Sequence, residues 1–246
     1  MRNFSIRIVL AAMFLACAAG VMAQRSQVPD EAIARDVAAR LMSHDITGVS
    51  VSVASGIVTL RGTVPTLWMK ERAREEALKV ADVIAVLSNV TVARGESDEI
   101  LADLVAKRLQ RYVFLSIFDD ADVEVDNGVV TLTGRVTMPY KAEAFADLAA
   151  RVPGVQEVRN EVRTLPVSTF DEQLRYAIAR RIYGDDLFAR YALQANPPVH
   201  IIVEHGHATL TGVVFSEVER RTAEVIARST FAVMGVTNKL RIELEE

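Results

Sequence analysis

One nine-residue pattern occurs three times in this chain, and it constrains the fold more than any other feature. The pattern G-x-[VA]-T-L-x-G-x-V spans Gly56–Val64, Gly128–Val136 and Gly206–Val214. A pattern that recurs in register indicates several copies of one structural unit rather than a single large domain. Each copy would hold about 65–75 residues, which is near the lower size limit for a domain that is stable alone. We therefore expect the three units to pack on one another.

The residues around each copy predict the same order of elements, αββαβ. Each unit opens with an Asp ahead of apolar residues at intervals of four, and we predict that Asp30, Asp98 and Asp171 are helix N-caps. Alternating residues such as Val51 and Val53 mark two strands, and an alanine-striped helix and a third strand follow. The predicted fold class is α+β, with three tandem αββαβ sandwiches. Each would place two helices on one face of a three-stranded sheet.

The two glycines of the pattern have different predicted roles. The first follows Ser, Asn or His and falls in the hairpin turn, where a positive φ favours Gly. The second, at Gly62, Gly134 and Gly212, falls on the apolar side of its strand. We predict that this second Gly lets a helix backbone approach the sheet closely.

The order of these features resembles that of the BON domain. The resemblance lies in a first helix, V-x-V-x-x-G-x-V-x-L-x-G-x-V, an alanine-striped helix and a final G-V-x-x-V-x-N. Gly154–Asn160 matches the final element in full, Gly235–Asn238 in shortened form, and Ala85–Asn89 departs from it. An Asn thus closes each unit. On this basis the units are placed at residues 28–94, 97–165 and 169–244.

The resemblance implies a relation to osmotically inducible periplasmic proteins and to outer-membrane-associated lipoproteins with tandem BON domains. Those families are associated with phospholipid binding or with holding envelope structures together. Most of their members carry two copies of the domain, so a third copy departs from the usual pattern.

Residues 1–23 have the features of a cleaved secretory signal peptide. Arg2 and Arg7 precede the sixteen uncharged residues Ile8–Ala23, which are too few for a typical membrane-spanning helix. The stretch ends in Val21-Met22-Ala23, and its small or branched residues at the −3 and −1 positions suit a signal peptidase. This pattern predicts a periplasmic protein. Two alternatives remain open, an uncleaved membrane anchor and a lipoprotein that is anchored through Cys17.

Composition excludes several classes of function. Cys17 is the only cysteine, so a chain without its signal would have no thiol chemistry, disulfide or cysteine–metal site. The net charge is −4, and it would become about −6 after removal of Arg2 and Arg7. Because nucleic-acid binding needs a basic surface, this acidic balance predicts that nucleic acid is not a partner.

Neither a metal site nor an active site is predicted. His200, Glu204, His205 and His207 lie close in sequence, but a strand rises about 3.3 Å per residue, which puts His200 too far from the pair at the turn to share an ion. No nucleophile elbow, phosphate-binding glycine loop or HExxH helix is present. We therefore predict a protein that is not an enzyme and has no cofactor.

The start of the second helix is the predicted membrane-binding or ligand-binding region. An amphipathic aromatic side chain beside cations suits the headgroup boundary of a lipid bilayer. The alternative is that Leu67 or Trp68 packs on the next unit. The candidate residues are Leu67, Trp68, Met69 and Lys70 in unit 1, and Tyr140 and Lys141 in unit 2.

The segment between the first helix and the hairpin is the other variable region. The hairpin Gly lies 15 residues after the last apolar residue of the helix in unit 1, 19 residues after it in unit 2 and 24 residues after it in unit 3. The longer segments contain Tyr112–Phe118 and Leu187–Tyr191. Apolar runs of this size need a neighbouring unit or a partner protein to cover them.

These observations predict an exported envelope protein that binds phospholipid or a membrane surface and supports the integrity of the envelope. The alternative is a periplasmic protein–protein scaffold without lipid binding, in which the same apolar segments contact another envelope protein.

Overall fold

The structure is a computed structural model that describes residues 28–194 and 196–243. The predicted signal peptide, its cleavage site and Cys17 lie outside the described residues. Within the described ranges, no helix combines the length and the apolar character that crossing a membrane requires.

Three consecutive αββαβ units confirm the predicted fold class. Unit 1 contains α1 (Asp30–Ser43), β1 (Val49–Ala54), β2 (Ile57–Val64), α2 (Leu67–Leu78) and β3 (Ala85–Val92). Unit 2 contains α3 (Asp98–Gln110), β4 (Asp120–Asp126), β5 (Val129–Val136), α4 (Pro139–Ala150), β6 (Glu157–Asn160) and β7 (Arg163–Thr164). Unit 3 contains α5 (Thr169–Tyr183), a 3₁₀ turn (Asp186–Phe188), α6 (Ala189–Ala192), β8 (Val199–Glu204), β9 (His207–Val214), α7 (Glu217–Arg228), β10 (Gly235–Asn238) and β11 (Arg241–Ile242).

Each sheet has the second strand of its unit at the centre. In unit 1, β2 pairs antiparallel with β1 through the hairpin and parallel with β3, because α2 crosses over between them. Units 2 and 3 repeat this arrangement, but their third strand is interrupted, so that β6 and β7 share one edge of a sheet, as do β10 and β11. The three sheets are therefore related but not identical.

Apolar stripes of the helices and the central strands form the core. In unit 1, Val37 of α1 and Ala73 of α2 pack over Leu60 of β2, and all three side chains are fully buried. Units 1 and 2 share one continuous hydrophobic core, whereas unit 3 has its own, which includes the aromatic residues Phe188 and Tyr191. The predicted stripes thus account for the helical packing of each unit.

The prediction that three Asp residues cap the first helices is wrong. Asp30 is the first residue of α1, and its carboxylate accepts hydrogen bonds from the backbone N–H groups of Ser55 and Gly56 in the hairpin turn, at 2.7 and 3.0 Å. Asp98 and Asp171 bond in the same way to the hairpin turns of their own units. Each Asp therefore ties the start of a unit to its hairpin.

The prediction for the second glycine is also wrong in its detail. A Cβ at Gly62 would overlap the carbonyl oxygen of Gly48, which leads into the neighbouring strand β1, and no helix atom is as near. Gly134 and Gly212 approach Asp120 O and Pro198 O in the same way, and all three glycines have a positive φ. The glycines therefore permit a tight contact within the sheet.

The alignment of Asn89 with the other two closing Asn residues is off by one. The strand register places Asn160 opposite Leu132 and Asn238 opposite Leu210, whereas Ser88 lies opposite the equivalent residue, Leu60. Asn160 and Asn238 each donate a side-chain hydrogen bond to a helix carbonyl, at 2.8 Å in both cases. Ser88 is too short to make this contact.

Units 1 and 2 meet through backbone at two glycines. Gly154 N–H donates to Pro65 O at 3.1 Å, and the side chain of Gln156 donates to Ala93 O at 3.2 Å. Gly95 and Gly154 approach so closely that a Cβ on Gly95 would lie 2.7 Å from Gly154 Cα. This interface therefore depends on the absence of side chains.

Units 2 and 3 meet in a different way, along the strand β8. Ile201 N–H donates to Ile117 O at 2.7 Å, so the segment before β4 adds to the edge of the third sheet. Thr211 Oγ1 donates to Asp120 Oδ1 at 2.8 Å beside this contact. The Tyr112–Phe118 segment of unit 2 thus contacts the next unit, which is one of the two ways in which its apolar run was expected to be covered.

Candidate functional site

The structure places Leu67–Lys70 mostly inside the protein. Thr66 caps α2 by accepting a hydrogen bond from Met69 N–H at 3.2 Å, which fixes the direction of the first turn. Leu67 is buried in the core, and Met69 packs against it. Trp68 is half-buried under the guanidinium group of Arg151 from unit 2, at 4.1 Å from the ring centroid.

Of these four candidates, Lys70 is partly exposed and Trp68 takes part in the contact between units 1 and 2. A cation held over the indole ring stabilises the contact by about 0.5–2 kcal/mol. Trp68 therefore has a structural partner within the chain, which was the alternative interpretation of the sequence.

The two candidates in unit 2 occupy different environments. Tyr140 is 49% exposed, whereas Lys141 is buried and its Nζ lies 2.6 Å from Asp119 Oδ2. Asp119 also accepts hydrogen bonds from the backbone N–H groups of Ser116 and Thr137, at 2.9 and 2.7 Å. Burial raises the pKa of Asp119, but hydrogen bonds from Lys141, Ser116 and Thr137 outweigh it, and the net pKa is lowered. Lys141 is thus a structural cation rather than a surface group.

This buried pair brings the two variable regions of unit 2 together. Asp119 ends the long segment before β4, and Lys141 lies in the first turn of α4, so their contact folds the segment over the start of the helix. Tyr112 packs against the core residue Phe145, with ring centroids 6.0 Å apart. The segment is therefore held at both of its ends.

The result is an exposed apolar surface, which we call the unit 2 patch. It consists of Val113, Phe114, Met138 and Tyr140, which are 83%, 58%, 51% and 49% exposed. The rings of Phe114 and Tyr140 meet edge to face, with centroids 6.2 Å apart. The long segment before β4 and the start of α4 thus bring two exposed aromatic rings into contact.

Exposed cations precede this patch in the chain. Lys107 and Arg108 lie in the last turn of α3, and Arg111 follows at its end. Lys107 pairs with Asp103 on the same helix at 2.6 Å. Arg108 and Arg111 are therefore exposed cations close in sequence to the patch.

The long segment of unit 3 also contacts a buried charged residue, but this residue is acidic where that of unit 2 is basic. Glu219 of α7 occupies the position that Lys141 has in α4 and Met69 has in α2. Tyr191 donates its hydroxyl hydrogen bond to Glu219 at 2.7 Å. Phe215 stacks on the ring of Tyr191 with centroids 5.8 Å apart, and the guanidinium group of Arg190 lies over Phe215. The aromatic residues here are covered more than those of unit 2.

The three histidines of the His/Glu stretch make hydrogen bonds within the protein. His205 N–H donates to Asp171, and His207 Nδ1 lies 3.2 Å from His205 O at the turn. His200 Nδ1 lies within hydrogen-bond distance of Asp119 O at the junction of units 2 and 3. In the part of the chain that the structure describes, no three His, Cys, Asp or Glu residues are grouped as a metal site would require.

A cleft of about 680 Å³ lies between units 2 and 3. The cations Arg111, Lys239 and Arg241 line it together with acidic groups that include Asp122 and Glu243. Because both signs of charge are present, the cleft favours neither an anionic nor a cationic ligand. Sequence reasoning missed it, since it arises only from the placement of one unit beside another.

Comparison with known families decides what this repeated unit is. The BON domain family matches residues 29–94, 97–166 and 176–243, which together cover most of the chain. The chain belongs to the BON domain family. Its BON domains indicate a periplasmic protein associated with the cell envelope, and domains of this family are generally not enzymes.

No curated protein matches this chain in sequence. Among solved structures, it is similar to CdsD, a structural protein of the type III secretion system of Chlamydia trachomatis, with 18% identity over 86% of this chain and 94% of that chain and a TM-score of 0.26. It is also similar to the periplasmic domain of the type III secretion inner membrane protein PrgH from S. typhimurium, with 15% identity over 83% of this chain and 98% of that chain and a TM-score of 0.22. Scores this low support no argument about shape or function.

Proposed function

We propose that this BON protein binds the surface of a phospholipid membrane through the unit 2 patch and so supports the envelope without catalysing a reaction. The observation that carries the proposal is the exposure of Val113, Phe114, Met138 and Tyr140, with the rings of Phe114 and Tyr140 in contact. Large exposed apolar side chains that form one surface, rather than being scattered, are typical of contact sites for membranes or proteins.

The composition of the patch favours a lipid interface. Phe114 and Tyr140 combine apolar rings with one hydroxyl group, and such amphipathic aromatic residues settle at the headgroup level of a bilayer. Val113 and Met138 are also exposed and would enter the boundary of the acyl chains. Arg108 and Arg111 would lie at the depth of the phosphate groups.

The expected affinity is modest. Each cation near an anionic surface contributes about 1 kcal/mol, and the net charge of the chain, −4, opposes the approach. Most of the binding free energy would therefore come from the four apolar side chains. We expect binding to fall as salt increases but not to disappear, because apolar burial is not screened.

Co-sedimentation with phosphatidylglycerol vesicles tests the proposal. We expect the wild-type chain to sediment with the vesicles and a Phe114→Ser/Tyr140→Ser variant to lose at least tenfold in affinity. Phe231→Ser is the matched control, since Phe231 is 93% exposed in unit 3 and outside the patch.

Two results would contradict the proposal. One is wild-type protein that stays in the supernatant with vesicles of every composition, and the other is equal loss of binding in the Phe231→Ser control. The first result, together with a specific envelope protein that binds the wild type but not the patch variant, would instead support the scaffold function.

A further inference from the structure

One position of the repeat holds a buried charge in unit 1 and an apolar residue in the other two units. Alignment of the helices α2, α4 and α7 places Glu76 at the same position as Leu148 and Ile226. Leu148 and Ile226 pack against the cores of their units, whereas Glu76 is an ionisable residue with no exposed surface. Because an apolar residue occupies this position twice in the same chain, the fold does not require the carboxylate.

Four basic side chains converge on the carboxylate of Glu76. Arg40 Nε donates to Oε2 at 2.6 Å, and His44 Nε2 lies 3.2 Å from the same oxygen. Lys79 Nζ and Arg72 Nη2 lie 2.8 and 2.9 Å from Oε1. The first two residues come from the end of α1, and the other two from α2 and its C-cap. We call these four basic residues the unit 1 cation cluster.

The carboxylate uses only part of the hydrogen-bonding capacity of these side chains. The side chains of Arg40, Arg72 and Lys79 keep 40%, 33% and 48% of their surface exposed. A guanidinium group has five N–H donors and an ammonium group has three. Within the described residues, Arg40 and Lys79 form no ion pair other than that with Glu76. Several of their donors are therefore available to a ligand.

The unit 1 cation cluster also has a surplus of positive charge. Arg40, Arg72 and Lys79 are charged at neutral pH, and the carboxylate of Glu76 offsets one of them. Glu75 lies 3.5 Å from Arg72 at the surface, which leaves a surplus of one charge with His44 neutral. Exposed cationic donors with a net positive charge are complementary to an oxyanion.

The other units do not repeat this arrangement. Arg181, the counterpart of Arg40 in unit 3, donates to Ile226 O and Thr230 Oγ1 at 3.2 and 2.9 Å, so it binds the end of α7 directly. Arg108, the counterpart in unit 2, is exposed and forms no ion pair with any residue that the structure describes. The gathered cations are therefore a feature of unit 1 and not of the repeat.

We propose that the unit 1 cation cluster binds a phosphate group, with Arg40 and Lys79 in contact with it. The planar guanidinium group of Arg40 offers paired donors that suit two phosphate oxygens, and Lys79 adds a compact charge. Glu76 is a positioning residue, because it holds cations from two helices at one place without being exposed itself. The phosphate belongs either to a lipid headgroup or to a small phosphorylated molecule, since both present the same oxygens.

NMR titration of the wild-type chain with inorganic phosphate tests the proposal. We expect saturable shifts of the backbone amides at the end of α1 and along α2. The expected dissociation constant is about 1–10 mM, because a few partly exposed charge contacts give only weak affinity. Chloride at the same ionic strength should not reproduce these shifts.

The variant Arg40→Gln/Glu76→Leu/Lys79→Gln removes the site and gives position 76 the residue type of Leu148, so that the apolar packing of unit 2 is reproduced. We expect it to bind phosphate about tenfold more weakly. Arg74→Gln is the matched control, since it removes one net positive charge, as the triple variant does, from an exposed position of α2. It should bind phosphate as the wild type does.

A single substitution gives a second test that leaves most of the cluster in place. Lys79→Gln acts at the C-cap of α2 and leaves Glu76 with its other three basic partners. We expect it to weaken phosphate binding about threefold. Circular dichroism compares the folded state of this variant with that of the wild type.

Sedimentation with phosphatidylglycerol vesicles identifies the source of the phosphate. Weaker vesicle binding by the triple variant than by Arg74→Gln would identify a lipid headgroup. Equal vesicle binding by these two variants, together with saturable binding of inorganic phosphate, would identify a small phosphorylated molecule.

The inference is overturned if phosphate causes no saturable shift at concentrations well above about 10 mM. It is also overturned if the triple variant keeps the phosphate affinity of the wild type. Neither result affects the proposed membrane contact of the unit 2 patch, which lies in a different unit and does not enter the phosphate titration.

Discussion

The carboxylate of Asp171 accepts a hydrogen bond from the backbone N–H of Gly206 at 2.8 Å, and 35 residues separate the two in sequence. The same carboxylate accepts a second bond from His205 N–H at 3.0 Å. Both N–H groups belong to residues with a positive φ, so they point together out of the turn. The first residues of the helix α5 thereby fix the hairpin of unit 3.

Replacing Asp171 by Ala should destabilise unit 3 by about 3 kcal/mol, because one buried and one partly buried donor lose a charged acceptor. Urea unfolding measures this loss. Glu172→Ala, at the exposed neighbouring position, should change the free energy of unfolding by less than about 0.5 kcal/mol. Similar effects of the two substitutions would show that the turn does not depend on Asp171.

The substitution Lys141→Met tests the buried ion pair of unit 2. Met is chosen because unit 1 has Met69 at the equivalent position. Loss of one partner leaves the Asp119 carboxylate buried without its cation, which costs about 3–5 kcal/mol. Thermal or urea unfolding at pH 7 measures the cost. Lys107→Met removes an exposed pair and should cost less than about 1 kcal/mol, so an equal effect of both variants would argue against the buried pair.

Gly154→Ala should weaken the contact between units 1 and 2. Gly154 has a φ of 93°, and a Cβ there would overlap Gly95 Cα. Both effects together should cost about 1–3 kcal/mol in urea unfolding. The equivalent residue of unit 3, Ala232, already has a side chain at a φ of 68°, and Ala232→Gly should change stability by less than about 1 kcal/mol.

The stability of unit 1 should decrease as the pH is lowered, because of Glu76. Hydrogen bonding from Lys79, opposed by burial and assisted by Arg40, Arg72 and His44, lowers the pKa of Glu76 from 4.5 to about 2. A carboxylate with a lowered pKa stabilises the folded state above its unfolded pKa, and this contribution is lost as the pH falls from about 4.5 towards 2.

Unfolding curves at several pH values check this expectation. Glu76→Gln should flatten the pH dependence between about pH 4.5 and 2, because the substituted residue does not titrate. Glu75→Gln, at an exposed neighbouring position, should leave the slope unchanged. An unaltered slope in Glu76→Gln would contradict the assignment.

Sequence reasoning reached the repeat, the fold class and the order of elements because periodic apolar residues depend on local geometry. It failed where a polar residue has two possible partners. An Asp at the start of a helix is a common cap, but the turn that receives Asp30 is formed by Ser55 and Gly56, which lie far away in sequence. The strand register, which the sequence alone does not supply, was also needed to align Ser88 with the two Asn residues.

The sequence identified parts of the candidate site but not how these parts come together. Tyr140 and the Tyr112–Phe118 segment were both identified from their apolar and aromatic content. Their meeting depends on the pair between Asp119 and Lys141, and that pair joins residues 22 positions apart. Nothing in the local pattern distinguishes this Lys from a surface cation, and for the same reason Phe114 was not assigned to the site.

The division of the hydrophobic core has a consequence for how such a chain could change its length in evolution. Units 1 and 2 share one core, whereas unit 3 encloses a separate one and meets its neighbour along a strand edge. A gene that lost the third unit would expose the short apolar run near Ile117, but it would leave the first two units closed. Loss of the first unit would instead open the interior of the second, so descendants with two domains should retain the amino-terminal pair.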